Sequence, residues 1–395
     1  MKKYLIVIAL SFSCLIVSDA TGQVLLDERA IIRFDHGLGF NAPDTAFGVN
    51  IRFRVQNRLN LTTSSDKDLD IKSVDPRISR LRLRFDGYIL GSKLTYLFQL
   101  GFSRDDVSGN PTGAPNLIRD AIVFYRFSPD FYIGFGQAKL PGNRQEIISS
   151  GQQQFIDRSI VTTALDINRD FGLFGYYSQI LSGMPFNLKA AVSTGEGRNY
   201  STQDGGLCYT GRLELMPFGK FQRNGDFSEG DLSREETPKL ALAAAYSLNR
   251  DAVRTNGQTG DLLPLKRDLE SFFADLLLKY RGNAFFLEYA SRSTEKPLMS
   301  HEGSETAVLA GTAFNTQISR LFRNNFEIVA RYAILKTVEE VKIIWPDRVF
   351  YTIGLNKYIN AHMTKFQTNL TYRKSTGPGI STADFYFQVQ VELGI

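Results

Sequence analysis

Apolar and polar positions alternate with period two through most of this chain. The stretch "SRLRLRF" over 79–85 is the sharpest case. In a helix its arginines, two apart, would scatter around the axis. In a strand, Arg80, Arg82 and Arg84 share one face, and Leu81, Leu83 and Phe85 share the other. "FGVNIRFRVQNRLNL" over 47–61 repeats the pattern. There Val49, Ile51, Phe53, Val55, Leu59 and Leu61 oppose Asn50, Arg52, Arg54, Gln56, Arg58 and Asn60. "KLTYLFQLGF", "TKFQTNLTYR" and "DFYFQVQVELGI" alternate in the same way.

Sixteen segments fit this template: 47–61, 77–90, 92–104, 117–128, 131–139, 169–180, 185–194, 206–216, 238–249, 268–281, 283–293, 305–320, 325–336, 347–359, 362–374 and 382–395. The alternation is weakest in 169–180 and 305–320. Most segments reach the ~9–11 residues with which a tilted strand crosses a bilayer. Long and short connections take turns between them. "TTSSDKDLDIKSVD", "DDVSGNPTGAP" and "RDAVRTNGQTGDLLPLKR" are long; "SPD", "LSGM", "RG" and "NA" are short. Long outer loops, short periplasmic turns and an even strand number are the signature of a bacterial transmembrane barrel. One connection breaks the rhythm: 217–238 is long where a short turn is due.

The reading is therefore all-β: a 16-stranded antiparallel transmembrane β-barrel of porin type over 47–395. A soluble β-sandwich would also alternate, but its open sheets would carry edges that a closed barrel removes. The faces can then be assigned. Turning one arginine of "SRLRLRF" to lipid would cost roughly 2–4 kcal/mol at the midplane, so Arg80, Arg82 and Arg84 point into the lumen. Arg52, Arg54 and Arg58 join them from the neighbouring strand. A 16-stranded barrel is wide enough for an aqueous channel, and a guanidinium-rich wall favours anions.

Composition refines this picture. The opening residues "MKKYLIVIALSFSCLIVSDATGQ" combine two lysines, an apolar run and small residues, the pattern of a signal peptide cleaved after Ala20 or Gly22. Cys14 sits in a poor lipobox. The expectation is a signal over 1–22, a short periplasmic segment over 23–46, then the barrel, exported to the outer membrane of a Gram-negative cell. Cys208 is the one cysteine beyond the signal, so no internal disulfide is expected. Tyr and Phe number 17 and 30, enough for aromatic girdles with Trp345 the lone tryptophan. The formal net charge of +5 is small, and arginines inside a barrel make no nucleic-acid patch.

Several stretches resemble the phosphate-selective porin O and P family of outer-membrane channels. "GLGFNAPDTAFGVNIRFRVQNR" over 37–58 is similar to its opening segment and first strand. "GQAKLPGNRQEIISSGQQQFIDRSIV" over 136–161 resembles its passage from strand to constriction loop, and "RDFGL" over 169–173 resembles the run that follows. "PFGKF" with "EETPKLALAAAYS" resembles the family's long eighth-to-ninth-strand turn, which accounts for 217–238. Ala138 and Asp157 depart from the family's usual aromatic and Glu, and no dense lysine cluster is present. The resemblance implies a homotrimer in outer-membrane lipid, a third loop folded into the lumen, and basic residues at that constriction: by position, Lys139, Arg144, Arg158 and Arg169. It implies passive diffusion of small hydrophilic solutes, with preference for anions and phosphate among them. Asp120, Glu146, Asp157, Asp166 and Asp170 are available to pair with these cations.

Other functions find less support. His36, His301 and His362 are too far apart along the barrel to serve a nucleophile, and no metal-ligand spacing occurs, so neither catalysis, metal nor cofactor is expected. Plugged receptors have about 22 strands. A general non-selective porin and a structural or adhesive barrel are the alternatives to an anion channel.

Overall fold

Alternation becomes a ladder once neighbouring segments pair. The computed structural model describes residues 31–33, 37–42, 46–107, 116–200, 206–301 and 303–395. The expected signal over 1–22, much of 23–46 and His36 lie outside them. The sixteen barrel strands are β1 Phe47–Thr63, β2 Ile71–Ile89, β3 Leu94–Gly101, β4 Ile118–Arg126, β5 Phe131–Lys139, β6 Arg169–Leu181, β7 Met184–Ser193 and β8 Cys208–Leu215, followed by β9 Lys239–Asn256, β10 Thr259–Tyr280, β11 Asn283–Ser293, β12 Gly311–Leu321, β13 Phe326–Thr337, β14 Asp347–Asn360, β15 Thr364–Gly377 and β16 Ile380–Gly394. Each pairs antiparallel with the next, and β16 closes on β1 through Leu393↔Val55 and Gly394↔Arg54. Below that point the short strand Leu38–Asn41 takes the vacated edge of β1, pairing Leu38↔Ile51.

The barrel is inverted relative to a soluble protein. Phe53, Leu59, Phe98, Leu173 and Leu213 are exposed on the outside, while Gln56, Arg58, Arg82 and Gln390 are buried inside. An apolar outer band and a polar interior suit hydrocarbon outside and water within. Phe127, Phe131, Phe218, Phe322 and Phe326 are exposed beside the periplasmic turns, where an aromatic girdle belongs.

The lumen holds its own small core. Residues 140–168 carry a short helix, Ile160–Leu165, which packs on β11, β12 and β13. Ile160, Val161, Ala164 and Leu165 bury against Ala245, Ala290, Ala313 and Ala333. Alanine at those wall positions leaves room for the helix. Each large aliphatic buried there contributes about 1.5–3 kcal/mol.

Two of the connections differ most from the expectation. The loop expected over 250–267 is instead a long hairpin, β9–β10, turning at Gly257–Gln258 after Asn256. Gly257, at the first turn position with φ 76, supplies the left-handed backbone that such a turn needs. Bulges between Asn249 and Asn256 had hidden the alternation. The segment expected over 305–320 begins later, at Gly311; Ser304–Ala307 pairs instead with Leu298–His301 in a separate hairpin. The long connection 217–238 does not shift the register, since β9 starts in place at Lys239.

Candidate pore and its arginine wall

A loop inside a barrel has no ladder for its backbone, so its carbonyls need other donors. In 140–168 these donors are lumen-facing cations from around the ring. Arg212 of β8 donates to Gly142 O at 2.6 Å. Lys365 of β15 donates to Gly151 O at 3.0 Å and Gln153 O at 2.9 Å. Arg58 of β1 reaches Ile156 O at 3.2 Å, and Arg331 of β13 reaches Asp157 O at 2.9 Å. The Arg331 guanidinium also covers the Phe155 ring at 4.0 Å. Arg292 of β11 donates to Asp166 O at 2.8 Å and to Ala164 O at 3.4 Å, completing the end of the short helix where its carbonyls are free. With partners on β1, β8, β11, β13 and β15, the segment lies within the ring.

The connection 217–238 reaches the same place from the periplasmic side. Glu229 is fully buried; it accepts from Gln145 Nε2 at 2.7 Å and from the Gln154 amide at 2.8 Å. Asp226 O accepts from Arg144 at 3.1 Å. Lys279 anchors the connection in turn, donating to the carbonyls of Gly225, Ser228 and Gly230 at 2.6–2.9 Å.

Six of the seven arginines of β1 and β2, those other than Arg77, are the ones expected on this wall, and they form one ladder. Arg52 stands opposite Arg84, Arg54 opposite Arg82, and Gln56 opposite Arg80. A bulge inserts Ser79, and Arg58 then faces Arg77. Like charges directly opposite repel, so the wall needs carboxylates. Arg82 meets Asp106 at 2.6 Å, and Arg119 shares that carboxylate at 2.7 Å. Arg58 meets Asp157 at 2.9 Å and Arg54 meets Glu392 at 3.2 Å. Arg52 and Arg84 divide a single carboxylate, Asp86, two residues beyond Arg84 on the same strand. Arg80 donates to a neutral group, Gln56 Oε1, at 2.8 Å. Arg58 and Arg82 are buried by the inner segment. Arg52 and Arg84 keep 34% and 36% of their side-chain surface open, and Arg80 is half-buried.

The four basic residues placed by resemblance sit on or beside the inner segment. Arg144 is enclosed, 2.6 Å from Asp275. Arg169 is enclosed between Asp120 at 2.9 Å and Glu146 at 3.2 Å. Lys139 and Arg158 clamp the backbone: Lys139 donates to the carbonyls of Glu146, Ile147 and Ile148, and Arg158 to those of Gln145, Glu146 and Ile148. Arg158 also pairs with Glu146 at 3.1 Å. Burial pushes the Glu146 carboxyl up, but Arg158, Lys139 and Arg169 outweigh it and hold the group below its ordinary range. Burial and the nearby Glu146 push the Asp166 carboxyl up to about 6. Of the other expected acids, Asp170 serves backbone amides, those of Gly195 and Gly197.

Further lumen cations escaped the sequence reading: Arg119, Lys189, Arg212, Lys279, Arg292, Arg331 and Lys365. Strand parity was the available signal for them, as in "GRLEL", where Arg212 and Glu214 share a face. Among the described residues no group of three or more His, Cys, Asp and Glu could hold a metal ion.

Two of the cavities among the described residues lie beside the inner segment. One cavity, of ≈ 270 Å³, lies against β2–β7 and is lined by Arg82, Arg84, Lys139 and Arg169 together with Tyr132 and Tyr176. The other, of ≈ 170 Å³, lies against β13–β16.

This architecture has known counterparts. The family model for phosphate-selective porin O and P matches residues 49–220, which take in the arginine wall and the whole inner segment. The match covers less than half of the chain, and over that span the chain is similar to this porin family. Solved structures agree with it in fold. The outer membrane channel DcaP of Acinetobacter baumannii is 11% identical, with 91% of this chain and 100% of that chain covered and a TM-score of 0.55. The anion-selective porin from Comamonas acidovorans is 13% identical, covering 88% and 100% with a TM-score of 0.54. Salmonella typhi OmpF is 13% identical, covering 89% and 98% with a TM-score of 0.56. No curated protein matches the chain. The partial family match and the shared barrel fold support an outer-membrane porin channel, and the lumen is the site to be explained.

Proposed function

We propose that this porin conducts small hydrophilic solutes by passive diffusion and prefers anions. The observation that carries the reading is the shortage of acid on the open part of the wall. Arg52, Arg80 and Arg84 are partly open on the lumen wall, Arg84 lining the ≈ 270 Å³ cavity, with Asp86 as the one carboxylate shared by Arg52 and Arg84 and Gln56 as the neutral partner of Arg80. A net positive, partly desolvated wall attracts anions and repels cations. The buried Arg58, Arg82, Arg144 and Arg169, with Lys139 and Arg158, set the shape of the constriction, while the open three meet the solute.

General anion preference fits better than strict phosphate capture. Each lumen lysine already has protein partners: Lys139, Lys279 and Lys365 hold backbone carbonyls, and Lys189 pairs with Glu214 at 2.8 Å. The working unit is taken to be a homotrimer in outer-membrane lipid, exported by the signal over 1–22. The zero-current potential of purified protein in a planar bilayer under a KCl gradient tests the reading. A potential of the sign set by chloride is expected. A potential set by potassium overturns it, and folded protein that passes no current favours a structural barrel. Half-block by phosphate far below the chloride concentration would restore phosphate selectivity.

A further inference from the structure

The passage of ≈ 270 Å³ changes character along its length. Its upper part carries Arg82, Arg84, Lys139 and Arg169, with Asp120 paired to Arg169. Its lower part, toward the periplasmic turns, is aromatic, with Lys189 opposite Tyr176. Phe124 of β4, Tyr132 of β5 and Tyr176 of β6 line it side by side. The Tyr132 and Tyr176 rings are stacked, with centroids 4.6 Å apart and planes 11° from parallel. Phe124 meets them edge-on at 5.8 Å and 6.0 Å. Gly134 makes the arrangement possible, since a Cβ there would sit 2.6 Å from the Phe124 ring. All three rings are half-buried, so part of each faces the passage. Elsewhere the lumen wall mixes Gln, Asn, Thr and charged groups with apolar side chains such as Phe174 and Phe273, which are enclosed in the lumen core.

We propose that this aromatic wall, set below the cationic constriction, holds the flat apolar body of an organic anion, so that the preferred solute is an aromatic carboxylate or similar ring-bearing anion. A ring gains by stacking on Tyr132 and Tyr176 and leaves poorly bound water behind. Its carboxylate meanwhile stays within reach of the cationic end of the same cavity. The charged half of this assignment rests on the anion preference proposed above; the ring half rests on the aromatic geometry alone.

Block of the chloride current by benzoate and by acetate, in wild type and in the Tyr132→Thr/Tyr176→Thr variant, tests it. Threonine is a strand former already common on this lumen wall. Wild type is expected to be half-blocked by benzoate at a concentration roughly tenfold below acetate, the effect of a well-placed ring contact. The variant is expected to bring the two together while its KCl zero-current potential stays unchanged. Should the double variant not fold, Phe124→Thr replaces it with the same expectation. Equal block by benzoate and acetate in wild type, or a benzoate advantage that survives in the folded variant, overturns the aromatic wall and leaves anion preference standing. A potassium-set potential would overturn the anion reading, and it is measured without any organic ion.

Discussion

At the scale of single residues, the lumen separates arginines that hold the structure from arginines that meet water. Asp106 belongs to the first group. It is almost fully buried and serves both Arg82 and Arg119. Burial alone would push its carboxyl up, but the two guanidiniums outweigh that and hold it well below the ordinary range. A carboxyl depressed in the fold contributes stability that is present above its unfolded value, ~3.9, and is lost as pH falls through the folded value. Asp106→Asn leaves two buried guanidiniums without an anion, at a cost of about 3–5 kcal/mol. Chemical unfolding in detergent is expected to show that deficit undiminished from pH 7 down to pH 4. Below pH 4 the deficit is expected to shrink; a deficit that stays constant there as well would mean that Asp106 titrates alike in the folded and unfolded chain.

At the scale of elements, two segments fill the barrel, and each depends on the other. Glu229 from 217–238 ties down Gln145 and Gln154 of 140–168. Hydrogen bonds to a charged group are worth about 1.5–3 kcal/mol each, so Glu229→Ala should loosen the constriction. Open-channel current noise is expected to rise above wild type; unchanged noise would mean the inner segment is held by its wall contacts alone. The elements themselves were largely legible in the sequence. All sixteen strands arise from period-two alternation, because a membrane barrel keeps one face apolar and one polar along each strand. The failures have local causes. Bulges between Asn249 and Asn256 break the period, and the hairpin Leu298–Ala307 is alternating but not part of the wall. The fate of 217–238 could be read only as unusual length. Its lumen contacts involve Gln145, Arg144 and Lys279, which are distant in sequence. For the same reason the sequence placed the six-arginine ladder on one wall but not its division into buried and open members. Asp106, Asp157 and Glu392 come from other elements, and Asp86, though on the same strand, lay just past the quoted run.

At the scale of the whole molecule, a closed ring puts an apolar band outside and a crowded polar interior within. On the function proposed above, selectivity follows from the few charges still open in that interior. Besides Arg77, which pairs with Asp75 and Asp105, the wall carries six guanidiniums on β1 and β2 against the carboxylates of Asp86, Asp106, Asp157 and Glu392, and Asp106 and Glu392 are shared with Arg119 and Lys365. The most direct test is the zero-current potential of the Arg52→Gln/Arg80→Gln/Arg84→Gln variant beside wild type under one KCl gradient. Loss of three open cations beside an intact Asp86 is expected to bring the chloride preference to parity or below. A chloride preference equal to wild type would contradict the account and move the origin of selectivity away from the arginine wall.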